Sequence, residues 1–116
     1  MIEDVIKNKS FSFAVRIVNL SKLLNSKGEF VMSKQLLRSG TSIGANVREA
    51  KNAQSKADFI HKLSISQKEA DETLYWLELL NTTDYISNDE FLSINKDGVE
   101  VLKLIKSIII SAKKNT

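Results

Sequence analysis

The fold of this chain is decided by residues 36–50, which read LLRSGTSIGANVREA. Within this stretch, apolar and small residues recur at intervals of four and three, the spacing of one face of an α-helix. They are Leu36, Gly40, Ile43, Val47 and Ala50. The stripe keeps its phase through Gly40 and Gly44, so it predicts one continuous helix, although the two glycines could instead divide it. Small residues on this face would let a neighbouring backbone approach closely.

Composition narrows the class of protein before any motif is considered. The chain has 116 residues, which predicts a single domain over 1–116, and it is 42% apolar and 27% charged, as in globular chains with a core. Proline is absent and glycine occurs four times, so few positions must interrupt a helix. Cysteine is also absent, which excludes disulfides, thiolate metal sites and a cysteine nucleophile.

Helical spacing of apolar residues predicts four helices, at about 10–25, 30–53, 56–81 and 88–114. The connections between them are short, and short connections place sequential helices side by side in opposite directions. The sequence therefore predicts an all-α fold, an antiparallel up-down-up-down four-helix bundle.

Local signals suggest where these helices begin and end. Ser10 or Asn8 is a candidate cap for the first helix, and Gly28 suits a left-handed stop after it. The third and fourth helices have capping-box signatures. These are Ser55 with Asp58, and Ser87 with Glu90.

The apolar stripes of two helices predict which of their faces are buried. In the first helix Phe11, Val15, Val18 and the pair Leu23/Leu24 fall near the spacing of one helical face, which we expect to pack inward. The fourth helix has a second stripe, Leu92, Leu102 and Ile109, beside its main one. Because one stripe of about 100° is enough for a helix in a monomeric bundle, the surplus predicts burial against another copy or a partner.

Charge is unevenly distributed along the chain, although the net charge is only +3. Residues 1–56 hold ten Lys or Arg against four Asp or Glu, whereas residues 57–101 hold three against ten, and four lysines follow. One interpretation is a basic surface for nucleic acid beside an acidic one. The other is charge complementarity between helices or between subunits.

The sequence has no complete residue pattern for a di-iron site, a catalytic triad or a phosphate loop. A di-iron bundle requires Glu-x-x-His on two helices, but His61 is the only histidine. Asp58 and His61 share a helical face, yet no Gly-x-Ser-x-Gly element supplies a nucleophile. Residues 40–44 lack the Gly-Lys-Ser/Thr ending of a phosphate loop. We therefore predict no enzyme activity, no cofactor and no metal.

A polar stripe runs beside the apolar stripe of the second helix. It contains Gln35, Ser39, Ser42, Asn46 and Glu49, with Arg38 at its flank. Polar groups beside a core need partners, at a cost of about 1–3 kcal/mol each when unpaired. Glu69 and Glu72 of the third helix could supply them, so we expect a polar network in which Arg38 pairs with a carboxylate. The alternative is that the stripe lines a ligand or nucleic-acid groove.

Two runs resemble the signature of a known family. Residues 35–50, QLLRSGTSIGANVREA, and residues 58–70, DFIHKLSISQKEA, are similar in order and spacing to the two signature runs of the rRNA intervening-sequence proteins. The resemblance extends over about residues 10–112, with Ser66 at a position where the family often has Ala. It implies an up-down four-helix bundle without catalytic residues that assembles into a ring, typically a homopentamer. The accessory variability determinant of diversity-generating retroelements, a basic pentamer that binds nucleic acid and a reverse transcriptase, is similar in fold.

The sequence thus leads to two functional hypotheses. The first is a non-enzymatic self-associating bundle, a homopentameric ring that acts as a protein-interaction module. The second is an RNA- or DNA-binding accessory protein, with contacts at Lys22, Lys27, Lys34 and Lys51. No signal peptide and no apolar run of membrane-spanning length occurs in the sequence, so we expect a cytoplasmic protein without a membrane partner.

Overall fold

Four α-helices make up the structure, a computed structural model that describes residues 2–115 and their side chains from residue 4 onward. The helices are α1, Ile2–Ser26; α2, Val31–Lys51; α3, Lys56–Thr82; and α4, Asn88–Lys114. Of residues 2–115, 88% are helical and none is in a strand, which confirms the predicted all-α class.

The direction of neighbouring helices follows from their contacts. Near one end of α1 and α2, Ser21 Oγ donates to Ser33 O at 3.4 Å, and near the other end Lys51 Nζ lies 2.9 Å from Asp4 Oδ1. Residue numbers therefore rise along α1 as they fall along α2, and the two helices run antiparallel. The pairs Ser39–Thr73 and Glu49–Lys62 for α2 and α3, and Arg16–Asp97 and Lys9–Glu100 for α1 and α4, follow the same order.

In cross-section the four helices lie at the corners of a square, each beside two others. In the described part of the chain, backbones approach one another only between sequential helices and between α1 and α4, so α1 and α3 lie on one diagonal and α2 and α4 on the other. The bundle measures 48 × 21 × 19 Å. None of these four helices combines the length and apolarity needed to cross a bilayer.

The predicted start of the first helix is wrong, because α1 begins at Ile2, eight residues before Ser10. Ser10 is not a cap: it is buried within the helix, and its Oγ donates to Lys7 O at 3.2 Å. Ile6 lies seven residues before Phe13 and is buried with it, so a longer helix adds one more core residue. Burial of Ile6 therefore outweighs the local capping signal at Ser10.

The predicted apolar face of α1 is wrong for Phe11 and Val15, although Leu24, which belongs to it, is buried. The buried apolar residues are Ile6, Phe13, Ile17, Leu20 and Leu24. Phe11 and Val15 lie on the outside, 59% and 45% exposed. The helix carries an inward stripe at intervals of seven, four, three and four, and its contacts with the neighbouring helices, such as Ile17 against Gly40, place it inside.

The surplus stripe predicted on α4 is mostly buried. Leu102 and Ile109 contribute to the core, whereas Leu92 and Ile110 remain exposed. Exposed apolar residues are thus more numerous on α1 than on α4, and the two most exposed, Phe30 and Val31, lie at the start of α2.

Close packing between helices depends on two glycines. A Cβ atom on Gly40 of α2 would lie 2.7 Å from Ile17 Cγ2 and 3.1 Å from Ile17 Cβ of α1. A Cβ atom on Gly98 of α4 would lie 2.8 Å from Leu74 and 3.0 Å from Phe13. The helix α2 runs without a break through both of its glycines, as one of the two interpretations of the sequence predicted.

A buried carboxylate begins α2. The residue at the N-cap, Phe30, makes no side-chain cap bond. Instead Glu29, only 8% exposed, accepts hydrogen bonds from the backbone N–H groups of Val31, Met32 and Ser33 at 3.2, 2.9 and 2.8 Å. Negative charge at this position also suits the helix dipole. The chain reaches Glu29 through Gly28, whose φ of 82° is left-handed, as predicted.

We expect Gly40→Ala to lower the free energy of unfolding by about 1–3 kcal/mol, because the added methyl overlaps Ile17. Gly44→Ala is the matched control, since its Cβ would meet Ser10 at an ordinary 3.5 Å, and it should be neutral or stabilising by up to about 1 kcal/mol. Urea denaturation followed by circular dichroism measures both. Equal effects of the two substitutions would contradict the close approach at Gly40.

Candidate functional site

Three hydroxyl groups form a buried polar seam between α2 and α3. Ser39, Ser66 and Thr73 are each inaccessible to solvent. Ser66 Oγ donates to Ile43 O across the interface at 2.8 Å, and Thr73 Oγ1 lies 2.9 Å from Ser39 Oγ and 2.7 Å from the carbonyl oxygen of Glu69. All these hydroxyl groups find partners within the bundle, so the seam fixes the register of α2 against α3.

Arg38 lies at the outer edge of this seam and bridges two carboxylates of α3. Its Nη1 donates to Glu69 Oε2 at 2.9 Å, and its Nη2 donates to Glu72 Oε2. Gln35 Oε1 lies at the limit of hydrogen bonding from Arg38 Nε, 3.5 Å. The same Glu72 oxygen accepts a hydrogen bond from Trp76 Nε1 at 3.0 Å. We call these residues, Arg38, Glu69, Glu72 and Trp76, the Arg38 cluster.

Electrostatics within the Arg38 cluster favour the charged forms. The hydrogen bond from Trp76, together with the Arg38 guanidinium, lowers the pKa of Glu72, against a smaller opposing effect of burial. The hydrogen bond to Glu72 raises the pKa of Arg38, with support from the charge of Glu69. Glu72 is therefore ionised across the neutral pH range and holds both the indole and the guanidinium.

The remaining residues of the predicted polar stripe have local partners. Ser42 Oγ donates to Arg38 O at 2.7 Å, and Asn46 Nδ2 donates to Ser42 O at 2.9 Å. Glu49 forms an ion pair with Lys62 at 3.0 Å. The structure thus brings Gln35, Ser39 and Arg38 together with α3 at one level, while Asn46 and Glu49 lie further along α2.

An exposed tyrosine between two acidic residues on α3 was not recognised from the sequence. Tyr75 is 56% exposed, and its ring meets Trp76 edge to face at a centroid distance of 5.1 Å. Asp71 and Glu78 lie four residues before and three residues after it, on the same helical face. We call Asp71, Tyr75 and Glu78 the α3 ridge. Its sequence signal is an aromatic residue between two acids at helical spacing.

A groove of about 430 Å³ lies between α1 and α2 on the outside of the bundle. Phe11 and Ala14 of α1 form one wall, and Thr41 and Ala45 of α2 form the other. Lys7 and Arg48 add positive charge at its edge. We call it the α1–α2 groove. The outward-facing Phe11, which the sequence analysis assigned to the core, is part of its lining.

The four lysines predicted to contact nucleic acid do not form one surface. Lys22, Lys27 and Lys34 lie around the α1–α2 turn, where Lys27 Nζ donates to Tyr85 O at 3.4 Å. Lys51 lies 17 residues beyond Lys34, about 25 Å away at the rise of an α-helix. It is also paired with Asp4 at 2.9 Å. Three of the four therefore share one end of the bundle, and Lys51 lies at the other.

Asp58, which was considered with His61 for catalysis, takes part instead in hydrogen bonds at the start of α3. Ser55 caps α3 by accepting a hydrogen bond from the Asp58 backbone N–H at 3.0 Å, and the Asp58 carboxylate accepts one from the Gln54 N–H at 3.3 Å. His61 is exposed on the next turn. Within residues 2–115, no three His, Cys, Asp or Glu side chains are grouped as metal ligands.

Comparison with known proteins agrees with the class that this geometry defines, an all-α protein of four packed helices. The chain belongs to the 23S rRNA-intervening sequence protein family, which it matches over residues 3–107. It is similar to a protein of unknown function from the S23 ribosomal protein family of Bacteroides thetaiotaomicron. The two sequences are 64% identical, and the crystal structure of that protein matches this structure with a TM-score of 0.91. That match covers 94% of this chain and 98% of the other. No curated protein matches.

We expect Arg38→Ala to lower the free energy of unfolding at pH 7 by about 1 kcal/mol, because it removes one partner from two partly exposed ion pairs. The loss should shrink as the pH falls. Because the pKa of Glu72 is lowered in the folded state, its stabilising contribution is complete above the ordinary value of 4.5 and disappears as the pH falls through the lower folded value.

Urea denaturation of the wild type and Arg38→Ala at pH 7, 4.5 and 3 measures this difference. Lys34→Ala, one helical turn away on the same face of α2, is the control and should have little effect at any pH. A difference that stays constant down to pH 3 would mean that the carboxylates do not depend on Arg38.

Proposed function

We propose that this protein is a non-enzymatic, self-associating helix bundle of the cytoplasm that acts as a protein-interaction module. The observation that carries this proposal is the apolar outer face of α1. Phe11 and Val15 are 59% and 45% exposed there, beside the α1–α2 groove. Val5 and Leu23 of the same helix are also exposed, 41% and 40%.

Exposed apolar area of this kind favours association. Burial of apolar surface is worth about 25 cal/mol per Å², and a large aromatic side chain in a pocket is a frequent anchor of protein interfaces. The core of the protomer does not need Phe11, since Phe13 and Ile17 already fill the interior beside it. A second copy of the chain supplies the cover that the isolated bundle lacks.

A closed ring is the form of assembly that we propose, and five copies is the number that the family resemblance implies. Rings form when each subunit contributes two different surfaces. The α1–α2 groove and the α3 ridge are two such surfaces. This assembly would present several copies of the bundle to a further protein partner, and it requires no cofactor.

Light scattering after size exclusion tests self-association. The monomer has a mass of 13.0 kDa, so we expect a larger multiple of this value at micromolar concentration. Phe11→Glu should shift the mass toward 13.0 kDa without loss of helicity. Ser107→Glu, which adds the same charge at an exposed position of α4, should leave the mass unchanged. A monomeric wild type at high micromolar concentration would overturn the proposal.

A second candidate function is binding of RNA or DNA by the basic end of the bundle. It is favoured by the grouping of Lys22, Lys27 and Lys34 around the α1–α2 turn, where Phe30 is 63% exposed. Lysines that neutralise phosphates, together with an exposed aromatic ring on which a base stacks, are typical of single-strand binding. The family description, which refers to 23S rRNA, supports the same candidate.

Titration of the protein with a single-stranded RNA at 50 and 200 mM salt tests this second function. We expect affinity to fall by roughly tenfold or more between these conditions if three phosphates are neutralised. Replacing Lys22, Lys27 and Lys34 together by Gln should abolish binding, whereas Lys51→Gln should retain it because Lys51 is paired with Asp4 at the opposite end. Absence of binding at 50 mM salt would eliminate this candidate.

A further inference from the structure

The α1–α2 groove combines an apolar floor with a positive edge, because Lys7 and Arg48 both line it whereas its one carboxylate, Glu49, is paired with Lys62. Small side chains, Ala14 and Ala45, leave room beside Phe11 for one large side chain from outside. Lys7 and Arg48 at the edge form no ion pair with the described side chains, so their charge faces solvent. A segment that fills this groove well would carry a large side chain with carboxylates on either side.

The α3 ridge has this composition. Tyr75 projects between Asp71 and Glu78, and neither acid takes part in an ion pair of the described chain. The Tyr75 ring is supported by its edge-to-face contact with Trp76, which is held in turn by Glu72 of the Arg38 cluster. A side chain already ordered in the free protein loses less conformational entropy when it is bound.

We propose that the α1–α2 groove of one copy receives the α3 ridge of a second copy, with Tyr75 against Phe11 and the acids of the ridge facing Lys7 and Arg48. This inference rests on the self-association proposed above and assigns the two surfaces that meet. The exposed face of α4 around Leu92 is a poorer occupant, because it carries Lys96 and Lys103 and would place like charges together.

The positions of the two surfaces suit repeated addition of copies. The groove lies between α1 and α2, whereas the ridge belongs to α3, the helix diagonal to α1, so the two surfaces occupy different parts of the bundle. One copy therefore uses its groove toward one neighbour and its ridge toward the other. Such a head-to-tail contact continues from copy to copy and closes into a ring when the rotation between neighbours permits.

Charge reversal with mixing tests the assignment. The first variant carries Lys7→Glu and Arg48→Glu, so that its groove repels its own ridge. The second carries Asp71→Lys and Glu78→Lys, with the converse effect. We expect each alone to associate at least about tenfold more weakly than the wild type while keeping its helicity, since like charges oppose docking.

Mixing the two variants in equal amounts should raise the mass well above that of either variant alone, in open or even-numbered assemblies, because strict alternation of two variants cannot close a ring of five. The acidic groove of the first then meets the basic ridge of the second, and the unchanged groove of the second meets the unchanged ridge of the first. Light scattering measures the mass of each variant and of the mixture. The control variant, Lys96→Glu with Lys103→Glu, makes the same change in net charge as the first variant but on α4, and it should associate like the wild type.

The outcomes separate this inference from the proposed function. If the wild type is monomeric, self-association itself fails. If the wild type associates but either reversed variant does so equally well, or the mixture stays dissociated, self-association stands and the pairing of groove with ridge is overturned. Rescue on mixing supports the pairing and is not produced by a folding defect, because two misfolded chains do not restore each other's surfaces.

Discussion

The close approach of α1 to α2 is the constraint on which the other features of this protein depend. Gly40 lets Ile17 sit against the α2 backbone, and this contact determines which of the two apolar stripes of α1 turns inward. Once Ile17 and Phe13 are inside, Phe11 and Val15 must be outside. The same contact positions the two helices that line the α1–α2 groove, so it shapes both the core and this groove.

Much of the fold could be predicted from the sequence because its signals are local. The stripe on α2, the caps at Ser55 and Ser87 and the left-handed Gly28 depend on residues a few positions apart, and all of them appear in the structure. The start and facing of α1 could not be predicted in this way. The start follows the burial of Ile6, and the facing follows the contact of Ile17 with Gly40, which is distant in sequence.

In the candidate site, too, the features carried by nearby residues could be predicted, and those that depend on distant residues could not. The polar stripe of α2 was visible in the sequence, and the need for partners indicated the carboxylates of α3 that contact Arg38. The hydroxyl of Thr73, which meets Ser39, was missed because a threonine within a helix has no pattern of its own. The grouping of Lys22, Lys27 and Lys34 at one end, with Lys51 at the other, required the lengths of the helices and their directions.

Glu29 has a consequence for how this protein can diverge. In most helices the residue at the N-cap is restricted to small polar types, because its own side chain must bond the first backbone N–H groups. Here the Glu29 carboxylate bonds these N–H groups instead, so positions 30 and 31 need not carry a capping side chain. The side chains at this tip of the bundle take no part in capping α2, so their exchange would leave the start of the helix intact.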